Sequence, residues 1–286
     1  QDHVARIANF YQSLSEGNLV PRWGANLNWG YGHPVLMFLY PLQSYFASFF
    51  HLLGFSLIDS VKIIFGLAFI ASGITMYMWV RNFLGEFPGL LAGILYIFAP
   101  YRFIDLYVRG ALGEHVAFVF PPLILYFLLI ISKSNSFAKS YKYMIGVSIS
   151  TALLILSHNA ISLMFLPFII LYSFYLRFYS TKNTKMLLQS FISIAFGFVL
   201  SAFFWVPAFF EGKYTLRDIV TAGEYVNRFI DPSGLIFSPW SYGITGQFSI
   251  QIGIAHWVGI ILFPCITFWL FKNRQKTLVL YLITFI

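Results

Sequence analysis

Charge is what this 286-residue sequence has least of: Asp, Glu, Lys and Arg together make up 10% of it, against about 25% in a soluble domain. A water-soluble fold of this size would lack the residues to cover its surface. Cysteine is nearly absent too. Cys265 is the only one and lies in an apolar run, which excludes a disulfide framework and a thiolate metal site. The apolar stretches do not alternate with polar residues, so a membrane β-barrel is excluded as well. No signal peptide heads the chain, which opens on Gln1-Asp2-His3 and stops at Ile286 within an apolar run. Those ends are expected of a fragment that has lost a helix before residue 1 and further helices after residue 286.

What is present is hydrocarbon-compatible sequence: 59% of residues are hydrophobic and 21% aromatic. Long apolar runs predict an all-α polytopic membrane protein. Spans are expected at 60–80, 88–107 with a kink at Pro100, 116–132, 143–157, 161–176, 187–210 and 253–271, and another begins near 278. Residues 1–58 read as an outer loop with interfacial helices, and 59–286 as a transmembrane bundle of about seven spans plus the start of an eighth.

The net charge of +8 reports topology rather than nucleic-acid binding. Ten cations (Arg81, Lys133, Lys139, Lys142, Arg177, Lys182, Lys185, Lys272, Arg274 and Lys276) fall in one set of connections with Glu86 alone; the other eight share the opposite side with nine acids. By the positive-inside rule the first set is cytoplasmic. Pro100–His115, the turn at Ser157–Asn159 and segment 211–252 then face outward from a bacterial cytoplasmic membrane.

Residues 1–20 carry Val4, Ile7, Ala8, Tyr11 and Leu14 on one helical side and Asp2, Arg6, Asn9 and Ser13 on another, an amphipathic helix ended by Gly17 and Pro21. The following RWGANLNWGYGHP suits a membrane interface. Segment 35–53 is apolar enough to cross, but Pro41, Gln43, Ser44, Ser48 and His51 and the parity of the spans favour an in-plane or re-entrant path.

Charge concentrates in PYRFIDLYVRGALGEH, residues 100–115. Ionisable groups inside apolar sequence are costly and mark function by default. As a helix, Arg102, Asp105 and Arg109 share one face, with Asp105 paired to Arg109 and Arg102 left for an anion. Gly110 and Gly113 loosen the backbone before Glu114 and His115. The other reading, an amphipathic connector whose charges meet water and headgroups, stands beside it. His158 and Asn159, between two short helices, are expected just below the outer surface as cavity residues or as packed, hydrogen-bonded groups. Pro207 ends a helix and leaves Glu211 at the outer rim, as a site residue or a solvated helix-end carboxylate. Segment 211–252 reads as a lid or as a connector.

An acidic residue ahead of an amphipathic stretch, YGHP…YPL, then Gly-Phe-Ser before the next helix resembles the first outer loop of the glycosyltransferase C superfamily. APYRFIDLYVRGALGEH, LSHN, SAFFWVPAFFE and FSPWSYG…SIQIG resemble more narrowly a bacterial branch of membrane proteins related to 6-pyruvoyl-tetrahydropterin synthase. The superfamily resemblance implies an inverting transfer from a polyprenyl-phosphate-linked sugar on the outer face, with Asp2 as base. Arg102 and Arg109 would hold the donor phosphate. His3, Arg6, Asp105, Glu114, His115, His158, Asn159 and Glu211 would complete a polar cavity. Asp2 is followed by His3 and Val4, so no D-x-D pair exists; no cofactor is expected and a divalent metal is unsupported. The lipid bilayer and the lipid-linked sugar are the expected partners. A transporter or flippase for a lipid-linked or anionic solute is the alternative, and a scaffold without chemistry the third.

Overall fold

The computed structural model describes residues 2–134, 137–180, 184–215, 229, 231–239 and 249–273. Lys182, Arg274, Lys276, much of segment 211–252 and the span expected from residue 278 lie outside the described residues. Among the described residues there is no β-strand, only an isolated bridge between Gly24 and His33. The protein is an all-α polytopic membrane protein.

Helix α1, Asp2–Ser15, buries Ile7, Asn9 and Phe10. Asn9 was expected on the polar side. It is buried because its amide bonds Ala5 O (3.0 Å) and its carbonyl accepts from Asn26 N (2.8 Å), tying the following loop to the helix. Segment 35–53 forms two short helices, α2 (Val35–Phe38) and α3 (Leu42–Leu52). Eleven residues of α3 reach about 16 Å, roughly half the hydrocarbon thickness. Alone, α3 is too short to cross.

α4, Leu57–Leu84, is the longest helix among the described residues at 28 residues, about 42 Å. Ser56 caps it: its Oγ accepts from Asp59 N at 3.0 Å and donates to Asp59 Oδ2 at 2.7 Å. Gly85, at φ 102°, then turns the chain into α5 (Glu86–Ile97), antiparallel to α4. Small residues let these two backbones approach: a Cβ on Gly93 would lie 3.0 Å from Gly73 O, and one on Gly89 would lie 2.9 Å from Arg81 N. Gly93→Leu is therefore expected to force α4 and α5 apart and to cost about 1–3 kcal/mol, read as a lower thermal midpoint in detergent.

α6 (Pro100–Phe103) continues into a π-helical stretch, Ile104–Arg109, and then into α7 (Leu112–Ala117) and α8 (Phe120–Lys133). α9 (Phe137–Ser157) and α10 (Asn159–Tyr175) follow. With 21 residues, α9 reaches about 31 Å. It is longer than its hydropathy suggested because its first turns carry Lys139, Ser140 and Lys142. The shortness expected of this helix is absent. α11 (Thr184–Leu200) and α12 (Ala202–Glu211) meet at a 69° bend, and α13 is Ile254–Lys272. The bend falls at Ser201, whose Oγ returns to Gly197 O at 2.9 Å. Pro207, expected to end a helix, lies inside α12.

Among the described residues, five helices are long and apolar enough to cross a membrane, or up to seven if the bent pairs α5–α6 and α11–α12 each count as one span. The core runs along α4, α8 and α9 through Ile64, Ile124, Leu128, Val147 and Leu154, with Tyr172 of α10 fully buried beside Trp79.

Candidate functional site

The site is built where the π-helical stretch meets α7. The wider π turn is often found at functional sites. Here it ends at Gly110, left-handed at φ 58° and ψ 36°, and Ala111 N closes back onto Asp105 O at 2.9 Å. That geometry carries Arg109 back over both Asp105 and Glu114. Arg109 Nη1 donates to Asp105 Oδ1 (3.2 Å), to Glu114 Oε2 (2.9 Å) and to the Tyr101 hydroxyl (2.6 Å); Nη2 donates to Glu114 Oε1 (2.6 Å). Tyr101 in turn donates to Glu114 Oε2 at 2.6 Å. The Arg109–Glu114 pair is a fork, which adds direction to charge attraction.

Arg102 does not join Arg109. The widened turn rotates the two arginines onto different faces, and Arg102 points at α4. It is buried at 2% exposure, donates to Ser72 Oγ at 2.9 Å near the middle of α4, and lies 4.6 Å from the Phe118 ring centre. The expected shared phosphate site is corrected accordingly: Arg102 is a packed interior cation, and Arg109 alone is half open. His115 is likewise interior, with its ring between Phe65 and Phe69 and Nδ1 3.9 Å from Asp105 Oδ2.

The second wall comes from the connection between α9 and α10. His158 caps α10, its Nδ1 accepting from Ile161 N at 3.2 Å. Its Nε2 lies 3.9 Å from Glu114 Oε1 and its ring 4.6 Å from that of Tyr40. Burial holds the His158 imidazole below its usual pKa, although Glu114 pulls the other way. For Tyr40, burial and then the charge of Glu114 raise the phenol. Gly113 makes room for this contact, lying against both the Tyr40 ring and Ser157 O. It is a close-packing position, where the sequence had suggested a loosened backbone.

α1 closes the third side. His3 Nε2 is 2.8 Å from Gly110 O, and burial lowers the His3 pKa against the pull of that hydrogen bond. Asp2 and Arg109 are each one residue from this bond. Asp2 is exposed, its Oδ2 3.9 Å from Arg6 Nη2 one turn along. Beneath it, His3, Arg6, Ile7, Tyr40 and Gln43 line a narrow cavity of about 20 Å³.

Of the expected residues, His3, Asp105, Arg109, Glu114, His115 and His158 are brought into one connected cluster, and Asp2 and Arg6 sit at its edge. Asn159 opens instead onto an apolar groove of about 300 Å³ with Thr151, Ser162 and Trp205. Glu211, at the end of α12, makes no hydrogen bond or ion pair among the described residues. Two tyrosines in the cluster were not anticipated. On an α-helical wheel Tyr101 falls with Ile104 and Val108 on a face that reads as apolar, and Tyr40 lies inside the YPL phrase with no role assigned by the sequence. Among the described residues no three His, Cys, Asp or Glu side chains are grouped to hold a metal ion.

The profile of the 6-pyruvoyl-tetrahydropterin synthase related domain, described as a membrane protein, matches residues 36–286, most of the chain. The chain belongs to this family. Within the matched region lie α3 to α13 and every cluster residue except those of α1. An uncharacterized protein of Lactococcus lactis subsp. cremoris (strain MG1363) is 28% identical over 213 residues, 72% of this chain. The chain spans about a third of that relative's length, 34%.

Proposed function

We propose that this member of the 6-pyruvoyl-tetrahydropterin synthase related family is a glycosyltransferase that moves a sugar from a polyprenyl-phosphate-linked donor to an acceptor hydroxyl at the outer face of the bacterial cytoplasmic membrane. The observation that carries the reading is the His3–Gly110 hydrogen bond, which ties an exposed carboxylate, Asp2, to a half-open guanidinium, Arg109. Inverting transfer needs both. As the acceptor oxygen attacks the anomeric carbon, Asp2 takes the hydroxyl proton. The bond from that carbon to the phosphate oxygen breaks, its electron pair leaves with the phosphate, and Arg109 offsets the added negative charge.

Transport or flipping of a lipid-linked solute is the second reading, favoured by two specific observations. Two helix pairs are broken, at 46° and 69°, and Arg102 sits near mid-depth along α4; broken helices and interior charge are features of transporters. Full-length protein in vesicles, supplied on one side with a fluorescent polyprenyl-phosphate sugar, separates the two. A new product in which the sugar has left the lipid is expected. Movement of intact lipid across the bilayer with no sugar released would select the transporter instead.

A further inference from the structure

The carboxylate of Glu114 is held as a bound anion would be. Three donors converge on its two oxygens: both terminal nitrogens of Arg109 and the Tyr101 hydroxyl, at 2.6–2.9 Å. A fourth donor stands beside the carboxylate, with no hydrogen-bond partner among the described residues. Because His158 Nδ1 accepts the backbone N–H of Ile161, the proton of the neutral ring sits on Nε2. That N–H stands 3.9 Å from Glu114 Oε1, beyond hydrogen-bond reach. The nest therefore offers more donors than a planar carboxylate with two oxygens takes up. A tetrahedral oxyanion presents an additional oxygen, out of the plane of the fork.

We propose that Glu114 is an internal placeholder in an anion site formed by Arg109, Tyr101 and His158, and that a phosphate group binds there by displacing it. The inference rests on the lipid-phosphate reading above and adds the residues that select the phosphate. Each step is supported by the geometry. Arg109 keeps a carboxylate partner, Asp105 at 3.2 Å, when Glu114 leaves, so the cation is never stranded. Arg109 is 30% exposed in its side chain, which gives an entering group access. Glu114 is near the start of α7, and rotation of its side chain vacates the site without unfolding a helix. A buried ion pair is weak evidence for stability in itself, since desolvation offsets much of the attraction. Its value here lies in keeping Arg109 preorganised, and in making weak anions compete against an intramolecular one.

The test is phosphate binding to the full-length protein in detergent, with farnesyl phosphate and inorganic phosphate as probes and farnesol as the uncharged control. Glu114→Gln retains the shape and removes the competing charge. At least tenfold tighter binding is expected. A gain confined to farnesyl phosphate identifies a lipid headgroup, and a gain with both probes a free-phosphate site. Farnesol binding stays unchanged. His158→Asn keeps a good helix cap and removes the Nε2 donor; roughly tenfold weaker phosphate binding at wild-type thermal stability is expected, the worth of one hydrogen bond to a charged group. Unchanged or weaker phosphate binding in Glu114→Gln overturns the placeholder, and should that variant not fold, unchanged binding in His158→Asn does so. The readout is binding, so a failure of sugar transfer in the vesicle experiment leaves it standing, and a flat binding result leaves the transferase test intact.

Discussion

Asp2→Asn is expected to lower sugar-transfer turnover by about 10² or more while donor binding stays nearly unchanged. Asparagine preserves the size of the side chain and its ability to accept a hydrogen bond at a helix start, and loses the capacity to take a proton. The competing role is electrostatic. Asp2 is the first residue of α1, and a first-turn carboxylate gains about 0.3–1 kcal/mol from the helix dipole. If that is all Asp2 does, the variant loses a little stability and no turnover. Asp59 provides the control, being another first-turn acid, on α4, engaged with Ser56 and Lys62. Asp59→Asn is expected to weaken the contacts with Ser56 and Lys62 and lower the thermal midpoint slightly, with turnover unchanged. Equal turnover in the Asp2 and Asp59 variants would remove Asp2 from the mechanism.

The spans were legible because a bilayer demands about 20 apolar residues per crossing; α4, α8, α10 and α13 lie where hydropathy put them. The failures have local causes. Hydropathy gives α9 too late a start because Lys139 and Lys142 occupy its first turns, and nothing in helix geometry requires an apolar start. It also merges α11 and α12, since the break at Ser201 interrupts the hydrogen-bond ladder without lowering apolarity.

For the candidate site, composition pointed to the stretch where the cluster forms, and the expected Asp105–Arg109 pair is present at 3.2 Å; the shared face of Arg102 and Arg109 is not. An α-helical wheel puts Arg102 and Arg109 on one face, and a π-helical stretch at Ile104–Arg109 separates them. No periodicity argument on sixteen residues registers one wider turn. Glu114 as the main partner of Arg109 depends on the left-handed Gly110 that follows that turn, and Tyr40 and His158 reach the cluster only by tertiary packing. Tyr101 illustrates a general difficulty: tyrosine counts as apolar in a face-by-face reading, yet its hydroxyl is an obligatory hydrogen-bonding group when enclosed.

Gly113→Ala is expected to damage fold and site together. A methyl group at this position would overlap the Tyr40 ring and lie 2.8 Å from Ser157 O. The ring can rotate away; the carbonyl is backbone, in the turn that carries His158, and cannot. α7 must therefore shift away from α9, at a cost of about 1–3 kcal/mol. Because Glu114 follows Gly113 directly and His158 follows Ser157, the same shift widens the 3.9 Å approach between them and spoils the convergence of donors. Phosphate binding should weaken in proportion to the distortion, beyond what a loss of folded protein explains. Gly66→Ala on α4 is the control. A Cβ there meets no atom within 4 Å, and alanine is the better helix former, so the thermal midpoint should hold or rise and phosphate binding should not change. A Gly113→Ala protein with wild-type midpoint and wild-type phosphate affinity would show that α7, α9 and Tyr40 are not packed as tightly as this contact requires.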